Sequence, residues 1–272
     1  MANKTYVIYH NDCPDGFGSA WSFYKKLGRK DVTYIPMDHG NTPPAMEKGA
    51  MVYIADFSFS RDILLQLKKD HPGLLLLDHH KSAKAELEGL DFVQFDMNRS
   101  GAVMSWQYLF PDKKIPHLLE YVQDRDLWTW KLSRSKEVHS YVSTVDYKLD
   151  AWDHLVDEVE NNCEQVIKFG EILLKSDELE VESICAHARL LDFCGHNIPC
   201  VNSIVLHSET GNRLLQIYSQ APFALCWYIN KKGDIRASYR SRGDFDVSEI
   251  AKKFGGGGHK AAAGSNLTEI PR

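Results

Sequence analysis

The sequence Leu-Leu-Leu-Leu-Asp-His-His at residues 74–80 decides how we interpret this chain. Four consecutive leucines are too few for an isolated helix and are typical of a strand that is buried on both faces. The run ends abruptly in Asp78, His79 and His80. In an open parallel sheet, ligands bind at the carboxyl ends of the strands. The stretch therefore predicts a central strand that carries three polar side chains to a binding edge.

Strands and helices alternate on both sides of this run, which predicts a parallel α/β sheet with right-handed crossovers. The other predicted strands cover residues 5–10, 32–37, 51–55 and 92–95, and the predicted helices between them cover 17–27 and 61–69. Polar side chains also end two of these strands, at His10 and Asp56. We expect them to meet the triplet at one edge of the sheet.

Beyond residue 100 the pattern becomes mostly helical, and short strands return after residue 195. The later part predicts strands at 199–206, 214–218, 224–229 and 235–239 and a helix at 247–253. We therefore predict an α/β fold of two domains with the active cleft between them. They are a parallel-sheet catalytic domain (1–160), joined by a helical linker (161–195) to a smaller α/β substrate-binding domain (196–272).

The overall composition, 43% hydrophobic and 25% charged residues, is typical of a soluble globular protein. No apolar run approaches the roughly 18–20 residues of a membrane span, and the N-terminus lacks the apolar core of a signal peptide. We therefore predict a cytoplasmic protein without a membrane partner. The net charge of −5 argues against broad binding to long nucleic acid. Six cysteines without a Cys-x-x-Cys pair favour free thiols over a zinc knuckle or a disulfide framework.

The strand ends of the N-terminal half carry many carboxylates and imidazoles. In a cleft, unpaired carboxylates repel each other strongly, and metal cations usually relieve that repulsion. Asp and His without Cys favour manganese, magnesium or iron. The candidate ligands are His10, Asp12, Asp15, Asp56, Asp78, His79 and His80. Asp38 and His39 also end a predicted strand, and we interpret them as a supporting or surface pair.

A further acidic pair, Asp124 and Asp126, ends a predicted helix that begins near Ile115. The helix macrodipole disfavours carboxylates at a C-terminus, so their position implies a compensating positive charge. That charge is either Arg125 or a metal ion. The alternative is a solvated helix end with a local salt bridge.

A glycine run at residues 255–258 precedes His259 and Lys260. Glycines let backbone N–H groups approach an anion closely, and the two side chains add positive charge. The alternative is a flexible linker, but linkers seldom continue directly into His-Lys and an alanine run. Acidic groups in the first half and anion-binding groups in the second predict a two-metal phosphoesterase.

These motifs, in this order, resemble the DHH phosphoesterase superfamily, and the resemblance covers nearly the whole chain. The triplet that names the superfamily matches residues 78–80, and the Gly-Gly-Gly-His signature of the DHH-associated C-terminal domain matches residues 256–259. The resemblance implies two manganese ions, with magnesium or iron as alternatives. Many relatives space two aspartates as Asp-x-Asp, whereas Asp12 and Asp15 are three residues apart here, with Pro14 as the expected source of a compensating bulge.

The resemblance also implies roles for individual residues. The implied metal ligands are His10, Asp12, Asp15, Asp56, His79 and Asp124, with Asp126 competing for the last position. His80 would polarise or protonate the scissile phosphate, and we assign Asp78 to catalysis with it. The implied substrate-binding residues are Arg99, Arg240, Gly256, Gly257, Gly258 and His259.

The sequence therefore predicts a manganese-dependent hydrolase that cleaves short phosphorylated oligonucleotides or linear dinucleotides to mononucleotides. Three rival substrates share this chemistry: 3′-phosphoadenosine 5′-phosphate, a cyclic dinucleotide and polyphosphate. A non-catalytic nucleotide sensor is the alternative from another class. The family permits a homodimer, which nothing in the sequence fixes. Trp128, Trp130 and Tyr239 are candidates for base stacking, with a core position as the alternative.

Overall fold

The protein is described from a computed structural model that covers residues 4–38 and 40–271. It divides into two compact units, Met1–Leu174 and Lys175–Arg272. The boundary between them lies inside one long helix, within the predicted linker. The cleft predicted between the two domains stays a prediction, and each unit is described by itself below.

The first unit is built on a five-stranded parallel sheet with the strand order β2-β1-β3-β4-β5. Its strands are β1 (Thr5–His10), β2 (Val32–Met37), β3 (Met51–Ala55), β4 (Leu75–Asp78) and β5 (Val93–Phe95). Its helices are α1 (Pro14–Leu27), α2 (Arg61–Asp70), α3 (Lys81–Glu86), α4 (Gly101–Leu109), α5 (His117–Asp126), α6 (Ser135–Val142) and α7 (Leu149–Asn161), and α8 (Cys163–Cys185) continues into the second unit.

The leucine run of β4 is buried on both faces of this sheet, as the sequence predicted. Leu77 packs in one core with Val7 and Ala55, while Leu76 packs in the opposite core with Ile8 and Ile54. Each fully buried leucine stabilises the fold by about 1.5–3 kcal/mol. Because both faces are covered, the polar groups of the run can only lie at its end.

The second unit contains a mixed six-stranded sheet with the order β10-β11-β9-β8-β7-β6, in which only the β7–β8 pair is parallel. Its strands are β6 (Arg189–Phe193), β7 (His196–Asn202), β8 (Phe223–Ile229), β9 (Ile235–Ser241), β10 (Gly257–Gly258) and β11 (Ala262–Leu267). Helices α9 (His207–Ile217) and α10 (Val247–Lys252) complete the unit. The predicted α/β class is confirmed for the chain.

Two predictions about the second half are wrong. The strand predicted at 214–218 is instead the end of helix α9, in which Leu214 and Leu215 are buried on one face of an amphipathic helix. A short apolar run alone does not distinguish the hydrophobic repeat of a helix from that of a strand. The linker predicted to be helical over 161–195 is helical only as far as Cys185, and residues 189–193 form an exposed edge strand. Across the described part of the chain, no helix combines the length and the apolar composition needed to cross a bilayer.

Candidate metal centre

Asp56, the residue that follows β3, lies at the centre of the polar cluster. Its carboxylate is buried, and its Oδ1 is 3.1 Å from Nε2 of His79. Its Oδ2 is 3.7 Å from Nδ1 of His10, and its Oδ1 is 4.0 Å from Nδ1 of His80. The backbone of Asp56 adopts a left-handed conformation with φ 54°, which is uncommon for a residue other than glycine. Such strain is typical of functional positions.

Two glycines make room for this arrangement. A Cβ on Gly101, the first residue of α4, would lie 3.0 Å from both Cα and Cγ of Asp56 and closer still to its Cβ. A Cβ on Gly16 in α1 would lie 2.8 Å from Cβ of His10. Both helices therefore begin in direct contact with strand ends, which only glycine allows.

Asp15 joins the cluster from the first turn of α1. Its carboxylate accepts hydrogen bonds from the backbone N–H groups of Gly101 (2.6 Å) and Ala102 (3.0 Å) at the N-terminus of α4. It also lies 3.6 Å from Nε2 of His79. Burial and the nearby carboxylates of Asp56 and Asp126 raise the pKa of Asp15 well above its usual value. A cation at this position would restore the ionised form.

Asp126 rather than Asp124 lies beside His79 in this cluster, and which of the two holds a metal stays a prediction. Oδ2 of Asp126 lies 3.4 Å from Nε2 of His79 and is a buried atom without a hydrogen-bond partner in the described part of the protein. Burial, together with the carboxylate of Asp56, raises the pKa of Asp126.

Asp124 instead organises the turn that follows α5. Its carboxylate accepts hydrogen bonds from Oγ1 of Thr129 (2.5 Å) and from the backbone N–H groups of Lys131 (2.8 Å) and Leu132 (3.0 Å). Burial alone would raise the pKa of Asp124, but these hydrogen bonds lower it below the usual range. Its oxygens are therefore occupied by the fold.

Asp78 holds His80 in place. Oδ1 of the fully buried Asp78 accepts hydrogen bonds from the backbone N–H groups of His79 (2.8 Å) and His80 (3.2 Å) and contacts Nδ1 of His80 at 2.7 Å. Burial alone would raise the pKa of Asp78, but the charge and hydrogen bond of His80 lower it. The contact places the Nδ1 proton of His80 toward Asp78, which makes Nε2 the ring nitrogen suited to meet a substrate.

Asp12 does not join the cluster. It is exposed, with φ 50°, and stands outside every group of potential metal ligands found among the described residues. The next residue, Cys13, joins one of these groups together with His10 and Asp56. The sequence analysis did not name Cys13 as a candidate ligand. Proline is common at the first position of a helix, so Pro14 was a signal that Cys13 is the last residue of the loop that follows β1. His39 lies outside the described residues.

The donor set suits divalent cations. Asp56 belongs to three groups of mutually close ligand atoms: with His10 and Cys13, with Asp15 and His79, and with Asp78 and His80. Burial alone would lower the pKa of His10 and His79, but their contacts with Asp56 and nearby acidic groups raise both to about 11. The carboxylates therefore attract positive charge strongly, and carboxylate and imidazole donors fit manganese, magnesium or iron.

Predicted substrate-binding residues occur in both units. Arg99 precedes α4 and is held by Oδ2 of Asp96 (2.6 Å) and Oε1 of Gln107 (2.5 Å). In the second unit, Arg240 donates to Oγ of Ser208 (2.5 Å) and to the carbonyl of Tyr239 (2.7 Å).

The glycine run of the second unit forms a tightly packed edge strand. Gly257 and Gly258 pair with Gly264 and Ala263 of β11. A Cβ on Gly258 would lie 2.6 Å from the carbonyl oxygen of Ala262, and one on Gly256 would lie 2.6 Å from Cβ of Ser265. Packing against β11 therefore requires glycine at these positions. Their role in binding phosphate stays a prediction, as does that of His259.

Comparisons with known proteins agree with this architecture. The DHHA1 domain model matches residues 208–271. The uncharacterized protein R106 of Acanthamoeba polyphaga mimivirus is 32% identical over 289 residues, covering 97% of this chain and 68% of the viral protein. Oligoribonuclease NrnB of Bacillus subtilis is 28% identical over 219 residues, covering 71% of this chain and 53% of NrnB.

Three solved structures share the fold at low sequence identity. The pGpG-specific phosphodiesterase PggH from Vibrio cholerae has a TM-score of 0.50 at 16% identity, covering 97% of this chain and 93% of PggH. An exopolyphosphatase-related protein from Bacteroides fragilis has a TM-score of 0.54 at 15% identity, covering 98% and 88% of the two chains. RecJ from Thermus thermophilus in complex with Mn²⁺ has a TM-score of 0.53 at 13% identity, covering 97% and 49%.

Proposed function

Because the chain belongs to the DHH phosphoesterase family, we propose that it is a manganese-dependent hydrolase of short phosphorylated oligonucleotides or linear dinucleotides. The observation that carries the proposal is the buried Asp56 carboxylate, which belongs to three groups of potential metal ligands. The names of NrnB and PggH, an oligoribonuclease and a dinucleotide phosphodiesterase, support this substrate class.

The residues that would hold two cations are His10, Asp15, Asp56, His79 and Asp126. Asp56 would be shared between the cations, because it is common to the groups that contain His10 and His79. When bound, the cations would supply an activated water and stabilise the leaving oxygen. The protein itself contributes a buried setting in which the carboxylates are fixed by strand ends and by the start of α4.

His80 acts on the scissile phosphate in this proposal. The hydrogen bond with Asp78 fixes the ring and holds a proton at Nδ1, so that Nε2 meets a phosphate oxygen. Asp78 is a positioning residue rather than a catalytic one, because its Oδ1 is engaged by His80 and by two backbone N–H groups.

An aromatic pair next to Asp126 favours a substrate with a nucleobase. The rings of Trp128 and Trp130 meet edge to face with centroids 5.0 Å apart, and the guanidinium of Arg125 lies 4.5 Å from the Trp128 centroid. Both tryptophans have left-handed backbones, with φ 55° and φ 50°, and both are only partly buried. A partly exposed indole in a strained turn two residues beyond a proposed metal ligand is suited to stacking a base.

The second unit would bind the terminal phosphate of the substrate in this proposal. Arg240 supplies a guanidinium whose side chain packs closely against Gly211 of α9. A Cβ on Gly211 would lie 2.7 Å from Cγ of Arg240, so glycine is needed for this packing. Gly256, Gly257, Gly258 and His259 would supply backbone and imidazole donors. Arg99 would add a positive charge near the start of α4.

The test is a product time course with purified protein in manganese, followed by chromatography. The substrates are 5′-phosphorylated diadenylate, 3′-phosphoadenosine 5′-phosphate, a cyclic dinucleotide and polyphosphate, with the His79→Ala variant as the control. We expect fast conversion of the diadenylate to AMP by the unmodified protein alone. Consumption of another substrate in preference to the diadenylate would overturn the substrate class, and nucleotide binding without any turnover would favour a sensor.

A further inference from the structure

The cysteine next to Asp12 occupies the position in the cluster that the sequence predicted for Asp12. Sγ of Cys13 and ligand atoms of His10 and Asp56 all lie within 4.8 Å of one another. Asp12, one residue earlier, is exposed and outside every such group among the described residues. A thiol therefore stands where a hard carboxylate was predicted.

The local backbone explains this exchange. Pro14 begins α1, and Cys13 is the residue before the helix, with an extended backbone at φ −137° and ψ 130°. In that position a polar side chain usually caps the helix, but Cys13 makes no such side-chain hydrogen bond. The left-handed turn at Asp12 directs the chain so that the thiol lies beside Asp56. The sulfur thus has no capping role in the fold.

A second observation indicates that the cluster is built for a cation. Oδ2 of Asp126 and Oδ2 of Asp78 are buried without a hydrogen-bond partner in the described part of the protein, and Asp78 itself has 0% exposure. Both carboxylates lie close to the histidines that surround Asp56. Buried carboxylate oxygens of this kind are costly unless a cation or donor meets them.

We propose that Cys13 is a metal ligand, which binds one cation as a thiolate together with His10 and Asp56. This inference rests on the proposed metal centre and deepens it. The thiol proton leaves to solvent as the sulfur–metal bond forms. A thiolate favours softer cations, so this position should hold cobalt, zinc or cadmium more tightly than magnesium. The second position, with oxygen and imidazole donors only, should show a smaller preference for cadmium.

Cobalt substitution provides the test, because a thiolate ligand gives cobalt(II) a charge-transfer absorption in the near ultraviolet. Metal-free protein is titrated with Co²⁺, and its absorption and bound cobalt content are measured. The test variant is Cys13→Ser. Asp12→Ala and Cys194→Ser serve as controls, and Cys194 is an exposed cysteine. We expect the band in the unmodified protein and in both controls. In Cys13→Ser it should vanish, and cadmium affinity should fall at least about tenfold.

The possible results separate this inference from the proposed function. Normal cobalt content without a thiolate band, or an unchanged band in Cys13→Ser, overturns the assignment of Cys13 and leaves the metal centre intact. Failure of the unmodified, folded protein to bind cobalt at all overturns both. If Cys13→Ser is poorly folded, the alkylation rate of Cys13 is measured in the unmodified protein instead. Bound Cd²⁺ should protect this thiol from alkylation. Equal alkylation with and without Cd²⁺ then contradicts the proposal.

Discussion

The contact between Gly101 and Asp56 gives a sharp prediction about the metal centre. In Gly101→Ala, the new methyl group would lie 3.0 Å from Cα and Cγ of Asp56 and closer still to its Cβ. Carbon atoms pack best at about 3.5–4.0 Å, so α4 and Asp56 must separate by roughly 0.5–1 Å or more. Asp15 would move too, because it accepts a hydrogen bond from the Gly101 N–H. The substitution therefore disturbs two proposed ligands at once.

The expected cost has two parts. Overpacking of this kind typically lowers the free energy of unfolding by about 1–3 kcal/mol. A displacement near 1 Å in an active site typically costs about 100-fold in activity. We therefore expect Gly101→Ala to remain folded, to bind manganese more weakly and to lose about 100-fold in diadenylate hydrolysis. Chemical unfolding, calorimetric manganese titration and the product time course measure the three quantities.

A second glycine provides the matched control. A Cβ on Gly170 in α8 would overlap the backbone carbonyl group of Glu137 in α6 more severely than a Cβ on Gly101 overlaps Asp56, and neither Gly170 nor Glu137 belongs to the proposed ligand groups. Gly170→Ala should lower the free energy of unfolding at least as much as Gly101→Ala while keeping its manganese affinity. If Gly101→Ala binds manganese and turns over substrate like the unmodified protein, the close packing of α4 on Asp56 is irrelevant to the site and our reasoning fails.

Three further predictions test neighbouring residues. Asp126→Asn should weaken manganese binding at least about tenfold in calorimetric titration, whereas Asp124→Asn should leave it nearly unchanged; the reverse order would restore Asp124 as the ligand. The pKa of Asp124 is lowered in the folded state, so its carboxylate stabilises the fold above its unfolded pKa near 3.9. Asp124→Asn should therefore lower the free energy of unfolding by about 1–3 kcal/mol at pH 7, and this deficit should shrink as the pH falls through the folded pKa. A pH-independent deficit in urea unfolding would refute this. Trp128→Ala should weaken AMP binding by about tenfold or more and leave binding of inorganic phosphate unchanged, while Trp128→Phe should retain most of the affinity; equal loss for both ligands would exclude stacking.

The sequence predicted the parts of the site that depend on strand ends. The leucine run reads as a doubly buried strand because Leu76 and Leu77 face opposite cores, and the polar groups must then follow at its end. Parallel pairing of β3 with both β1 and β4 brings Asp56 between His10 and the triplet. These positions follow from the alternation of side chains along each strand and from the topology of the parallel sheet alone.

Positions in loops and at helix ends could not be predicted in this way. Asp124 and Asp126 are two residues apart, so their side chains point about 160° apart on a helix. The choice between them depends on the turn at residues 127–132, whose N–H groups bind Asp124. The exchange of Asp12 for Cys13 similarly depends on a left-handed turn that no spacing rule reveals. The left-handed backbone of Asp56 also became visible only in the structure.

The most direct test of the metal centre is a calorimetric manganese titration of metal-free protein and of its Asp56→Asn variant. Asparagine tolerates a left-handed backbone and nearly matches the shape of aspartate, so the substitution removes charge and spares the fold. We predict that the unmodified protein binds two manganese ions, as a two-metal site requires, and that Asp56→Asn loses tight binding of both. Unchanged manganese binding by a folded Asp56→Asn variant would contradict the account.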